Sequence, residues 1–463
     1  MTKEWFSSHA TIDASLESSF QWHQRIGTFE RLFPPWANAS FQTLTPPVAN
    51  RNEFEFGFSC LGRHETWKGK YLDVQENHSF SDMQVKGPFY FWLHKNSFSS
   101  APSKNKTIIT NQIEFELPYG NLGKHLFSPS VKQQLRALAD YRHKILQRDI
   151  PLFQRNLPLK KILITGSHGF LGMHLKNFLL SQGHEVHSLK HIFNGKSANS
   201  KSWSYLNTSL PHELLEGYDV VIHLAAENLI NSQWTRSKKE EIYQSRVMGT
   251  KLISQTLSEL NSPPELFMCA SGVGYYGNTP HLVTEDAPKG KGFLSDVNSD
   301  GEKACEAALK KGIRTTMLRF GHILSPDGGV LKKLLPYFSW GLGAKIASGE
   351  QAISWIALDD ALHACSHLIH NKSLEGPINF VSPFSISQRK FAKALASTLK
   401  RPQMLQIPSC LIKLLFKEMG EHLLLNSQEV SPQKLLQSNF KFQHDNLSKL
   451  LPLYLGKPYN KPQ

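Results

Sequence analysis

Three glycines in the stretch Gly166-Ser-His-Gly169-Phe-Leu-Gly172 stand where an apolar run, Lys161 to Thr165, meets a segment, Leu171 to Leu180, with apolar residues at helical spacing. Glycines at such spacing allow a tight turn, let backbone N–H groups approach a pyrophosphate and seat a helix against its strand, with the phosphates at the helix's positive end. A glycine triplet alone is equally a structural turn. The flanking strand and helix, followed by the apolar alternation of Glu185 to Leu189, make a dinucleotide site the expected chemistry. The end of that second strand selects the dinucleotide, because an Asp or Glu holds a ribose 2′-OH whereas a 2′-phosphate needs positive charge. Leu189, Lys190 and His191 offer no carboxylate. NADP(H) is therefore expected over NAD(H), with Lys190 as the phosphate partner; the competing reading is a solvated loop lysine. Farther on, Asp219 to Leu224 has the composition of a buried strand and ends at Ala225 and Ala226, small enough for the adenosine half to lie against the backbone.

The GxxGxxG spacing resembles the extended, epimerase-like branch of the short-chain dehydrogenase/reductase superfamily. Trp234 to Thr250 (WTRSKKEEIYQSRVMGT), Ser271 to Gly277 (SGVGYYG), Val283 to Leu294, Arg319 to Leu331 (RFGHILSPDGGVL), Gly341 to Asp360 and Gln428 to Phe442 narrow the likeness. They resemble the epimerase-family proteins that close with a small domain of unknown function, over Lys160 to about Leu451. The resemblance implies cofactor contacts at Gly166, Gly169, Phe170, Leu171, Gly172, Leu224, Ala225 and Ala226. It puts Arg246 where such reductases usually have an Asn, so Arg246 either reaches cofactor or substrate or pairs with an acid.

The same resemblance implies a Ser that polarises the substrate oxygen and a Tyr that moves the proton, its pKa lowered by a Lys four residues on. Ser271 is present at the end of an expected strand, Leu266 to Ser271. An ungapped reading gives Asn298 and Glu302 at the Tyr and Lys positions, so the usual YxxxK is missing. Tyr275 and Tyr276 follow Ser271 by four and five residues and are the phenols available to replace it, with wall aromatics as the competing reading. Glu302 is either a base or an ordinary helical carboxylate. The expected catalytic set is Ser271, Tyr275, Tyr276 and Glu302. Two further departures from the family pattern are Gly301 in place of a Trp and Ala357 in place of a His within the SWIALDD motif.

Length and composition set the elements that must carry these groups. A chain of 463 residues suggests about three domains. Hydrophobic content of 40% with 28 Phe supplies cores, and 19% charged residues argues against disorder. The net charge of +14 is spread without a run of five basic residues, which points to a solvated basic surface rather than nucleic-acid binding. Five cysteines, Cys60, Cys269, Cys305, Cys365 and Cys410, form no CxxC pair. Reduced thiols in a cytoplasmic protein are expected, without signal peptide or membrane insertion. His363, His367 and His370 with Cys365 have a spacing that can bind zinc, but no HExxH pattern accompanies them, and no metal is expected.

Before about residue 157 the rhythm differs. A strand from Thr11 to Ser15 enters a helix, Leu16 to Arg25, and β-rich runs follow at Glu53 to Cys60, His64 to Val74, Phe80 to Val85, Phe89 to Phe98 and Thr107 to Leu117. A last helix carries Val131, Leu135, Leu138, Tyr141 and Ile145 on one face. A curved antiparallel sheet wrapped on one long helix fits this order. RLFPPW (Arg31 to Trp36), Asp73 to Phe98 and YRHKILQRDI (Tyr141 to Ile150) resemble the polyketide cyclase and START-like family, whose helix-grip fold holds an apolar ligand between sheet and helix. His64, Glu65 and His94 are the polar groups such a cavity could use; strand residues facing water are the competing reading.

The expected architecture is an α/β Rossmann domain of the extended-reductase type (158–383) with a small C-terminal α/β lobe that covers substrate (384–463), preceded by an α+β helix-grip domain (1–157). The expected function is that of an NADP(H)-binding, epimerase-family oxidoreductase acting on a small carbonyl or hydroxyl substrate, in a homodimer. The alternative is a non-catalytic NADP(H)-sensing module.

Overall fold

The computed structural model describes residues 3–41, 43–60, 63–103, 105–191, 202–206, 209–230 and 232–458. The chain divides into two compact units: Met1–Leu159 with Asn177–His184 and Pro452–Gln463, and Lys160–Lys176 with Glu185–Leu451.

The first unit holds six antiparallel strands, β1 (Glu4–Ile12), β2 (Glu53–Cys60), β3 (Arg63–Gln75), β4 (Ser79–Lys86), β5 (Phe91–Ser100) and β6 (Thr107–Glu116), in the order β1-β6-β5-β4-β3-β2. The alternation that signals a half-buried strand is visible in β2, where Phe54 and Phe56 are buried between exposed Glu53 and Glu55. Helix α2 (Gly120–Gln154), which follows α1 (Leu16–His23), is 35 residues long and buries Leu135, Ala139, Tyr141, Ile145, Leu146 and Ile150. It also buries Asp149, whose carboxylate pairs with Arg31 at 2.8 Å. The opening strand differs from expectation: it runs Glu4–Ile12 rather than from Thr11 to Ser15, paired along its length with β6. Its sequence, EWFSSHATI, is polar and exposes Trp5, so only its partner reveals it. Ser15 is instead the N-cap of α1, its hydroxyl accepting from Ser18 N at 3.2 Å.

His23, at the end of α1, packs edge-on against Phe98, and burial pushes its imidazole down to about 4. Below the ordinary value of 6.5 the unfolded chain gains a proton that folded His23 refuses until about pH 4. The stability present above pH 6.5 is thus lost as pH falls, by up to about 3 kcal/mol from this residue. Melting temperatures at pH 7 and pH 5 should fall less steeply for His23→Gln than for the wild type.

In the second unit seven strands form a parallel sheet: β7 (Lys161–Thr165), β8 (Glu185–His191), β9 (Ser202–Trp203), β10 (Val220–His223), β11 (Leu266–Gly272), β12 (Arg314–Phe320) and β13 (Gly376–Phe380). Their order is β13-β12-β11-β10-β7-β8-β9. Buried on both faces, they read as continuous apolar runs: Ile162, Leu163 and Ile164 of β7 and Val220, Val221 and Ile222 of β10 are at most 2% exposed. The order reverses between β7 and β10, and ligands in such sheets bind in the crevice at the carboxyl ends beside that reversal. After β13 come a helix at Gln388–Thr398, a strand at Leu405–Ile407 paired with Ala344–Ile346, and a helix at Ser409–Gly420.

Among the described residues no helix is long and apolar enough to cross a membrane. Nor, among them, does any group of three or more His, Cys, Asp or Glu have a metal-holding arrangement; His367 Nε2 lies 2.9 Å from Ser438 Oγ.

Candidate functional site

Strand β7 delivers the glycine turn to the crevice, and helix α3 (Phe170–Ser181) leaves it. Gly166 has φ +74°, and a Cβ there would stand 2.6 Å from the Ala225 nitrogen. At Gly172 a Cβ would meet the Gly166 carbonyl oxygen at 2.2 Å, so the third glycine is required for the helix to start against the turn. Around this turn lies a cavity of about 340 Å³ lined by Gly166, His168, Gly169, Leu189, Lys190, Trp203, Tyr205, Leu224, Ala225, Ala226, Glu227 and Ser245. Six residues expected at a cofactor therefore share one wall: Gly166, Gly169, Lys190, Leu224, Ala225 and Ala226.

The remaining expected contacts are placed differently. Gly172 is buried behind the turn, and Leu171 is half-buried on the first turn of α3. Phe170 packs under the SPDGG turn, where a Cβ on Gly328 would fall 2.1 Å from its ring. Asp327 of that turn bonds His174 Nε2 at 2.7 Å. Arg246 lies on a π-helical turn, Gln244–Met248, between two α-helical segments, a local widening common at functional sites. Its Nη2 donates to the Glu227 carbonyl at 3.2 Å, while among the described residues its buried Nε has no partner. Burial lowers its pKa to about 10. The carboxylate of Glu227 is engaged by Lys238, so the wall presents no uncompensated negative charge to an anionic ligand. Lys190 is exposed at the rim, and the side chain of His191 lies outside the described residues.

These features fit a dinucleotide: a glycine cradle that a Cβ would fill, two alanines facing it, an exposed cation at the end of β8 and, among the described residues, an unsatisfied donor on Arg246 beside the wall.

A second cluster forms one strand over. The parallel register aligns Ser271 of β11, Arg319 of β12 and Asn379 of β13 at one level. Ser271 Oγ donates to Glu302 Oε1 at 2.7 Å. Glu302, on helix α4 (Phe293–Lys303), accepts both Nε and Nη2 of Arg319 at 2.8 and 2.7 Å, the bidentate fork that guanidinium and carboxylate favour. Arg319 is only 2% exposed. Burial works against its charge, but the Glu302 contacts outweigh that and hold its pKa above the ordinary guanidinium value.

The two phenols have different surroundings. Tyr276 is buried; its hydroxyl donates to Asn379 Oδ1 at 2.7 Å and accepts from Arg319 Nη1 at 2.8 Å. Burial, partly offset by Arg319, raises its pKa to about 12. Tyr275 is half-buried with the Arg319 guanidinium 3.6 Å over its ring. Asn298 lies beside the same turn, its Nδ2 3.6 Å from where a Cβ on Gly272 would stand. Glu285 and Asp360, within motifs quoted above, brace the backbone. Glu285 Oε1 accepts from Asn379 N and Lys434 N, and Asp360 accepts from Gln443 N and His444 N.

Sequence reasoning passed over Arg319 and Asn379, and over Trp203, Tyr205, Glu227 and Ser245 on the cavity wall. A single Arg near the end of the strand-like run TTMLRF was the available signal for the first.

Residues 162–381 match the NAD dependent epimerase/dehydratase family, and residues 407–451 match a domain of unknown function, DUF1731. The chain is 32% identical over 300 residues to an epimerase family protein of Mycobacterium bovis, covering 64% of this chain and 98% of that protein. An epimerase family protein of Bacillus subtilis is 31% identical over 292 residues, 62% of this chain and 95% of its own length. Among solved structures, the nucleoside-diphosphate sugar epimerase from Corynebacterium glutamicum aligns with a TM-score of 0.78 at 26% identity, over 97% of this chain and 90% of its own. A human epimerase family protein crystallised with NADPH aligns with a TM-score of 0.56 at 25% identity, over 64% of this chain and 98% of its own.

Proposed function

Because the chain belongs to the epimerase family of extended short-chain dehydrogenases/reductases, we propose that it is an NADP(H)-dependent oxidoreductase or epimerase acting on a small carbonyl or hydroxyl compound. The observation that carries this reading is the cavity at the carboxyl ends of the strands, lined by the glycine turn, Ala225, Ala226 and Lys190. NADPH in a human relative's structure supports the choice of cofactor. The turn's N–H groups at Phe170, Leu171 and Gly172 face the pyrophosphate, with Gly169, whose own N–H bonds the Gly166 carbonyl, leaving it room; Lys190 faces the 2′-phosphate, Leu224 to Ala226 the adenosine half, and Arg246 a cofactor or substrate oxygen.

NADP(H) supplies the hydride donor or acceptor when bound. The chain's own residues position substrate and move the proton. Ser271 holds the reacting oxygen of the substrate, and Glu302 accepts the Ser271 hydroxyl proton, freeing the serine lone pairs for a substrate hydroxyl. Arg319 fixes Glu302 in that orientation. Tyr275 is the phenol nearer solvent and takes the acid role; Tyr276, bound on both sides, holds the frame.

The chain reads as three parts, 1–157, 158–383 and 384–463, working as a homodimer in the cytoplasm. The first part is a START-like helix-grip domain for an apolar ligand, supported by its six-stranded antiparallel sheet and single long helix.

A panel of nucleotide sugars and small aldehydes and ketones, offered with NADPH, tests the enzyme reading. Turnover on at least one compound is expected, falling roughly 10- to 100-fold in Ser271→Ala with NADPH affinity unchanged. The sensing alternative draws on Asn298 and Glu302 standing where a Tyr and a Lys are usual. Tight NADPH binding without turnover on any compound, or turnover indifferent to Ser271→Ala, would favour it.

A further inference from the structure

Two stretches of the second unit are basic and contain no acid. Residues 328–349 carry three lysines and residues 376–417 seven Lys or Arg, and neither stretch has an Asp or Glu. These ten cations compare with a net charge of +14 for the whole chain. The carboxylates bordering the stretches are engaged, Glu350 by Arg389 and Glu418 by Lys239.

The fold brings the two stretches together. Ala344–Ile346 pairs in parallel with Leu405–Ile407, and a Cβ on Gly341 would lie 3.8 Å from the Pro402 ring. The helix Gly329–Ser339 of the first stretch and the helix Ser409–Gly420 of the second also flank one loop. Lys333 Nζ donates to the Ile230 carbonyl there, and Gln233 Nε2 donates to the Leu415 carbonyl at 2.9 Å. Large apolar side chains stand in solvent on this surface: Trp340 is 80% exposed, Met404 87% and Leu414 73%. Leu411, Leu414 and Leu415 fall at i, i+3 and i+4 on one exposed face of their helix, whereas Ile412 is buried. Lys400, Arg401, Lys413 and Lys417 are exposed in the same stretch.

Single exposed apolar residues are ordinary, but a group of them marks an interface, and the charge selects the partner. A second copy seated on the same face would set like charge against like. A nucleic acid offers phosphates to the cations but no apolar layer to the leucines and the methionine. An anionic bilayer offers both, charged headgroups at its surface and acyl chains just beneath.

We propose that this face of the second unit docks on an anionic lipid bilayer, with Trp340, Met404 and Leu414 in the headgroup boundary and the cations on the headgroups. The full chain with NADPH is sedimented with vesicles of phosphatidylcholine alone or of phosphatidylcholine and phosphatidylglycerol in equal parts. Binding to the anionic vesicles should be at least roughly tenfold tighter and should be lost in about 0.5 M NaCl. Trp340→Ser with Leu414→Ser should weaken it roughly tenfold or more, and Arg401→Gln with Lys413→Gln roughly 10- to 30-fold. Brominated phosphatidylcholine in the anionic vesicles should quench tryptophan fluorescence, and Trp340→Phe should remove most of that quenching. No binding to anionic vesicles, equal binding to phosphatidylcholine, or binding that either pair of substitutions leaves intact would overturn the proposal. So would quenching that is absent or survives Trp340→Phe, or capture by a DNA duplex of a chain that ignores the vesicles. All four substituted positions are exposed, and the wild-type measurements decide even if a variant fails to fold.

Discussion

Replacing Arg319 by Met should lower the unfolding free energy by about 3–5 kcal/mol, because the substitution leaves Glu302 charged and nearly enclosed with its partner gone. Arg319 contacts both oxygens of Glu302 and the Tyr276 hydroxyl, donates to the Glu285 carbonyl at 3.1 Å and covers the Tyr275 ring. One side chain thus ties the end of β12 to α4 and to the turn that follows β11. The double variant Arg319→Met/Glu302→Gln removes the stranded charge and should recover much of the loss, which separates the ion-pair contribution from lost packing. Urea unfolding of the wild type, the two single variants and the double variant gives the cycle. A loss below about 1 kcal/mol in Arg319→Met would mean that the pair is solvated.

The second large effect falls on the glycine turn. Gly166→Ala places a methyl group 2.6 Å from the Ala225 nitrogen and 2.8 Å from the Leu224 carbonyl carbon, on a residue at φ +74°. Both obstacles are backbone, so the turn must move away from β10 rather than a side chain yielding. The N–H groups proposed to face the pyrophosphate move with it. NADPH affinity should drop on the order of a hundredfold to a thousandfold, read by fluorescence titration, while the protein retains its cooperative melt. Unchanged affinity would remove the turn from the cofactor site.

How far the sequence revealed these features depends on how local they are. The glycine turn was legible because strand, turn and helix lie within one short stretch, and Lys190 because it ends the next strand by simple alternation. The long helix α2 and five of the six antiparallel strands declared themselves by period. What the sequence could not show is register. Arg319 is one Arg at a strand end until β11, β12 and β13 align it with Ser271 and Asn379. Trp203 and Tyr205 escaped notice because the strand they belong to or follow, Ser202–Trp203, is two residues long and has no period to read. Tyr276 stayed a candidate acid on sequence grounds, since only the fold shows its hydroxyl held by Asn379 and Arg319.

The central claim is that the cavity beside the glycine turn takes NADP(H) and that Lys190 selects it. It is tested most directly by titrating the purified chain with NADPH and NADH side by side, followed by fluorescence, for the wild type and Lys190→Ala. NADPH should bind more tightly by roughly 10- to 100-fold, the contribution of a charged hydrogen bond to the 2′-phosphate, and Lys190→Ala should bring the two cofactors to similar affinity by weakening NADPH alone. Equal affinities in the wild type, a preference for NADH, or a preference for NADPH that Lys190→Ala leaves intact would contradict it.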